Sequence, residues 1–109
     1  MKQTYSIPGI LDFDAEGITN SQGKKIASSC EIAYLCLSGG GPASVYVHNC
    51  QSVAAAGYNN RKMTLDVSAA GNDNRIFFNP VEFNLGVTVI LNQGAGLNAV
   101  LSYGTVTPR

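Results

Sequence analysis

Charge is what this sequence has least of. Of its 109 residues only 13% are Asp, Glu, Lys or Arg, about half the usual share. The seven basic side chains balance the seven acidic ones. A chain that recognises nucleic acid needs a basic excess to displace counterions from phosphates, so that partner class is set aside. The two basic pairs, Lys24-Lys25 and Arg61-Lys62, read as solvated turn residues. No run approaches the ~20 apolar residues of a membrane helix, and a membrane partner is set aside too. Tryptophan is absent, and histidine occurs once. The opening segment MKQTYSIPGILDFDAEG lacks the long apolar stretch of a secretory signal. With an odd number of cysteines, three, synthesis in a reducing compartment is expected.

What remains is apolar and small. Hydrophobic residues make up 45%, enough for one domain with a core of its own. The polar surface must come from Asn, Gln, Ser, Thr and Gly. Low charge also suits a surface covered by neighbouring subunits, because charge is depleted at the centre of interfaces.

All three cysteines and the histidine lie within or beside SCEIAYLCLSGGGPASVYVHNC. A zinc site needs Cys or His pairs two to four residues apart, usually two such pairs. Only His48 and Cys50 share strand spacing, so no metal is expected. The same two residues as nucleophile and base would sit roughly 7 Å apart at their bases on one strand, too long for an activating hydrogen bond. Cys36 and Cys30 are expected as small core residues and His48 as a half-exposed residue at a strand end. GGGP lacks the Lys-Ser/Thr of a phosphate loop, and GAGLNA lacks the third glycine of a dinucleotide turn. Asp12, Asp14 and Glu16 alternate but lack the glycine and distal Glu of a calcium loop. No catalytic residue and no cofactor is assigned.

Short runs of β-formers separated by Gly, Asn and Pro fill the chain from Glu31 onward. EIAYLCLS and SVYVHN flank GGGPA; MTLDVSA and RIFFN flank GNDN; VTVILN and LNAVLSYGT flank NQGAG. Each pair reads as a hairpin, over 31–49, 63–79 and 86–104. Residues 51–60 read as a loop or one helical turn, and Pro80 as a break. The fold expected is all-β: an antiparallel β-sandwich or small jelly roll over 31–109, preceded by an extended N-terminal arm over 1–30 with one or two short strands. Lys2 to Ile7 is the first candidate strand, ended by Pro8-Gly9, and 17–25 reads as turn and loop. Ile90 opposite Val89 and Leu91, and Phe77 beside Phe78, make some strands apolar on both faces. That pattern calls for a buried second face, as subunit contact would provide.

The residues 31–104 resemble small β-sandwich virion proteins of tailed bacteriophages. The likeness is carried by Ser44-Val45-Tyr46-Val47 after a Gly-rich turn, by Phe78-Asn79-Pro80, by the segment from Phe83 to Val87, and by Leu101-Ser102-Tyr103-Gly104. The resemblance implies a virion component made in the host cytoplasm, assembled as an oligomer, commonly a trimer. Its leading form here is a capsid decoration, or cement, protein on the capsid surface that stabilises capsomer junctions. The major capsid protein or other virion proteins are its partners. Tyr5, Ile7, Ile10, Leu11 and Phe13 of the arm are the expected partner-binding residues, laid in a groove or along an edge strand. The alternative is a tail, neck or fibre-associated protein with a receptor- or adaptor-binding role. Loops 39–44, 51–62 and 92–97 would then form the contact surface, with Tyr58, Asn59 and Asn60 against a sugar.

Overall fold

The structure, a computed structural model, describes residues 6–39, 42–67, 71–93 and 99–106. These residues form eight strands: β1 Ile7–Asp12, β2 Gly23–Ala27, β3 Cys30–Gly39, β4 Ala43–Asn49, β5 Arg61–Val67, β6 Gly71–Phe83, β7 Val87–Gln93 and β8 Val100–Val106. Two short 3-10 turns, Val53–Ala55 and Tyr58–Asn60, lie between β4 and β5. No α-helix occurs among the described residues. The first sheet has the order β1-β8-β3-β6 and the second β2-β7-β4-β5, with every pair antiparallel. Strand one thus pairs with eight, two with seven, three with six and four with five. This is one long hairpin rolled up into two stacked sheets, the eight-stranded jelly roll.

The sandwich expected from sequence is therefore present, but its connections differ from the three expected hairpins. β3 and β4 lie in different sheets, as do β5 and β6, and β7 and β8. The chain therefore passes from one sheet to the other between β3 and β4, between β5 and β6, and between β7 and β8, rather than back along the same sheet. Local patterning does not separate the two cases. A strand with one buried face alternates identically whether its neighbour in sequence lies beside it or across the core. Only β4 and β5 are consecutive and paired.

The expected arm is also corrected. β1 is an edge strand of the first sheet, in register with β8 from Ile7↔Thr105 to Asp12↔Val100. β2 is an edge strand of the second sheet. Pro8, read as a terminator, sits inside β1, where an edge position leaves its missing N–H without consequence. Leu11 and Phe13 face the core, and Phe13 is only 1% exposed. Its backbone N–H donates to Ala99 O at 3.1 Å, which ties the end of β1 to the start of β8. The acidic run that follows is a turn: Asp12 Oδ1 accepts the Ala15 N–H, and Glu16 pairs with Lys24.

The core lies between the sheets. Ile32, Leu35, Leu37 and Leu101 of the first sheet face Val45, Val47, Leu65, Val87 and Val89 of the second, all fully buried. Two glycines let aromatic rings lie flat against the first sheet. Tyr34 covers Gly104, where a Cβ would come within 2.4 Å of the ring, and Tyr103 covers Gly9 equally closely. Only glycine admits so close an approach.

β6 departs furthest from the sequence reading. GNDN, expected as a turn, opens the strand, and the strand runs through Pro80. Ile76 pairs with Tyr34, and Val81 pairs with Ile32, so Phe77 to Pro80 bulge from the ladder opposite the single residue Ala33. An edge strand tolerates both the bulge and the proline. Phe77 packs against the core, whereas Phe78 is 100% exposed.

Two side chains of β6 also close the open edge of β5. Asp73 accepts the Asp66 N–H at 2.9 Å, and Arg75 Nη2 donates to Thr64 O at 3.1 Å, while Arg75 Nε holds Asp73 at 2.9 Å. The Arg75 hydrogen bond keeps the Asp73 carboxyl below its usual value, against the opposing effect of burial. A carboxyl that is more acidic when folded stabilises the fold above its unfolded value, and that contribution disappears as pH falls through the folded value. Asp73→Asn is therefore expected to lower the urea midpoint at pH 7 and to show a smaller deficit near pH ~3, below the unfolded carboxyl value of about 4. Paired urea titrations at the two values check this; an equal deficit at both would assign the loss to packing instead of charge.

Candidate functional site

Two outward surfaces stand apart from the rest of the molecule, one on each sheet. In an antiparallel ladder directly opposed residues share a face, so the register lists what each surface carries. Leu11, Leu101 and Leu37 are opposed and buried; their neighbours therefore point out from the first sheet. One outward row is Pro8, Gly104, Tyr34 and Ile76, and the next is Ile10, Ser102, Cys36 and Asn74. A third is Asp12, Val100, Ser38 and Asn72. The centre of this face has no charge. Asp12 stands at one end, and Glu31 opposite Glu82 at the other. Ile10 is 73% exposed on β1, and Ile76, 81% exposed, stands on β6 with the exposed Phe78 on its bulge; β1 and β6 are the two opposite edges of this sheet. Exposed large apolar side chains at both edges of a face whose centre is uncharged make it the candidate contact surface of the first sheet.

This places the five expected partner residues. Ile7 and Ile10 are exposed on β1. Leu11 and Phe13 belong to the core and offer nothing to a partner. Tyr5 lies outside the described residues. Ile76 and Phe78 were missed as candidates, because their outward placement follows from the register with β3 and from the bulge. Cys36 is half-buried on this same outward face, not in the core; Cys30 and Cys50 are buried, and all three thiols are free. Burial, with Glu31 nearby, raises the Cys30 thiol above its usual value.

The second surface lies at the β5 edge of the second sheet. Tyr46 points outward from β4, in register with Ile90 and Thr64. The Arg61 guanidinium stacks over it, 3.5 Å from the ring centroid, and Tyr58 approaches the same guanidinium at 5.3 Å. His48 meets Tyr46 edge-on, with centroids 6.3 Å apart. Tyr58, Arg61, Lys62, Met63 and Thr64 line an open depression of about 370 Å³. Arg61 and Lys62, expected as turn residues, begin β5 and shape this depression. The loops 39–44 and 92–97, expected to join Tyr58, include residues 40–41 and 94–97, which lie outside the described residues.

His48 is 3% exposed rather than half exposed, because residues 50–60 fold over the row it shares with Thr88. Thr88 Oγ1 donates to Cys50 O at 3.0 Å. Asn60 organises the loop: its Oδ1 accepts the Gly57 N–H at 3.0 Å, and its Nδ2 donates to Ala55 O at 2.9 Å. His48 Nδ1 faces two acceptors, Asn60 Oδ1 at 2.8 Å and Gly57 O at 3.0 Å. Nδ1 therefore carries the proton. Cys50 Sγ donates to Ser52 O at 3.3 Å, away from any base. The histidine thus pins the loop that carries Tyr58. Asn60→Ala is expected to cost about 1–3 kcal/mol by leaving the Gly57 N–H and the Ala55 carbonyl without their Asn60 partners and His48 Nδ1 with Gly57 O alone. Thermal unfolding measures that loss, and accelerated hydrogen exchange at Gly57 locates it; unchanged exchange there would remove Asn60 from this role.

No protein-family profile, curated protein or solved structure matches this chain, so its two exposed surfaces carry the functional reading.

Proposed function

We propose that this chain is a structural protein of a bacteriophage virion, a decoration protein that seats the outer face of its first sheet on the capsid shell and reinforces capsomer junctions. One observation carries the reading: a sheet face uncharged at its centre, with Ile10 exposed at its β1 edge and Ile76 and Phe78 exposed at its β6 edge. Such a face loses little on desolvation and gains from every apolar contact it makes. Asp12, Glu31 and Glu82 at its ends favour a partner surface that is apolar at the centre and basic at the rim. Jelly rolls recur in viral shells and in lectins, so the fold by itself is neutral between these uses. The resemblance of 31–104 to phage virion proteins supplies the context, and with it a homo-oligomer, taken as a trimer.

A tail, neck or fibre protein with a receptor- or adaptor-binding role is the second reading, favoured by the Arg61–Tyr58 depression on the opposite sheet. Copy number separates the two. Quantified by mass spectrometry in purified particles, a decoration protein is present at a ratio to the major capsid protein near one to one. A ratio of a few per cent would move the chain to the neck, tail or fibres. Absence from particles would overturn both readings.

A further inference from the structure

We infer that the depression beside β5 is a binding site for a saccharide bearing a carboxylate, with Arg61 holding the carboxylate and Tyr58 stacking on the sugar ring. The site lies on the sheet opposite the proposed shell contact, and its ligand does not depend on where the chain sits in a virion.

Arg61 is the first reason. Its guanidinium forms no ion pair among the described residues, and its Nε is buried without a hydrogen-bond partner. One of its faces rests on Tyr46 at 3.5 Å. The side chain is therefore held in place while its terminal Nη groups remain uncommitted. A fixed, planar, unpaired guanidinium matches a carboxylate through two parallel hydrogen bonds.

Tyr58 is the second. Its ring is 85% exposed yet anchored by the loop that His48 and Asn60 hold. An aromatic face in water beside a cation suits a ligand that is apolar on one face and polar at its edges, as a pyranose is. Thr64 adds a hydroxyl to the wall of the depression. The volume, about 370 Å³, falls at the small end of ligand sites and admits one or two sugar units.

The surroundings exclude a polyanion. Lys62 directs its ammonium toward the Phe83 ring, 5.7 Å from the centroid. Asp66, next outward after Thr64 on the same strand, presents a carboxylate bonded to Ser44. Arg61 and its neighbour Lys62 beside an acid suit a single carboxylate; a nucleic acid would need a continuous basic stripe.

The test uses the full chain and three probes: methyl β-D-glucuronide, the uncharged methyl β-D-glucoside, and acetate. Amide shifts are followed by NMR up to about 10 mM, a range that captures weak binding. The glucuronide is expected to shift residues 58–64, with glucoside and acetate each binding at least ~tenfold more weakly, and Arg61→Gln is expected to lose at least ~tenfold in affinity. Acetate binding as tightly as the glucuronide would reduce the site to a bare anion contact and overturn the inference. So would no shift at all, or shifts confined to other residues. Should Arg61→Gln disturb the fold, Tyr58→Ala decides, because that ring is exposed: unchanged glucuronide affinity in this variant overturns the stacking role and the inference with it.

Discussion

Phe13→Ala is expected to destabilise the domain by about 3–5 kcal/mol, the range for emptying a buried phenylalanine site. Phe13 is 1% exposed and directly follows the edge strand β1, packed in the main core with Leu11 and Ile18. Total stability of a domain this size is about 5–15 kcal/mol, so the variant sits near the limit of folding. Each kcal/mol corresponds to roughly 4–8 °C in melting temperature. Phe78→Ala provides the contrast. That ring is fully exposed on the β6 bulge, and its loss is expected to move stability by no more than ~0.5 kcal/mol. Urea denaturation of the two variants settles the comparison. If Phe13→Ala kept wild-type stability and instead lost attachment to particles, residues 7–13 would have to be read again as a detachable binding arm.

The second large effect concerns attachment. Ile10→Asp and Ile76→Asp each place a carboxylate on the outer face of the first sheet, whose centre is uncharged, at edge-strand sites 73% and 81% exposed. In the free protein these positions are solvated, so stability is expected to stay within about 1 kcal/mol of wild type. In a complex that buries this face the carboxylate loses its water without gaining a partner, and a loss of about a hundredfold or more in shell affinity is expected. Pelleting of the variants with undecorated shells measures this. Tyr58→Ala, on the opposite sheet, is expected to pellet like wild type. Equal binding by both Asp variants would sink the proposed contact face, and loss of binding only in Tyr58→Ala would transfer the contact to the second sheet.

Several features were legible in the sequence. Met63, Leu65 and Val67 alternate with Thr64 and Asp66, and this is the pattern of β5, whose inward side meets the core. Phe77 and Phe78 were expected on opposite faces, and one packs on the core while the other is in water. Other features were hidden for identifiable reasons. β2 was read as loop because Gly23, Lys24 and Lys25 have low strand propensity, yet an edge strand needs few apolar residues. Pro8 and Pro80 were read as breaks because proline ends a central strand, and both lie on edges. Arg61 lay within the expected contact loop 51–62 but was read as a solvated turn residue and not singled out. Its stack on Tyr46 joins two residues fifteen apart through a register that the turn region leaves open.

The sequence by itself determined that this chain is a β-sandwich, because period-two alternation and turn residues act over a few neighbours and depend on nothing else. It determined the sparse charge, and hence a surface suited to contact more than to steering. Only the tertiary structure decided that successive strands, β4 and β5 excepted, lie in different sheets and that β1 closes the first of them. It alone decided which exposed residues stand together on one face. Those outcomes depend on pairings between residues far apart in the chain, such as Ile7 with Thr105 and Ile32 with Val81. Such pairings are selected by the joint burial of both sheets, and that free energy belongs to no single segment.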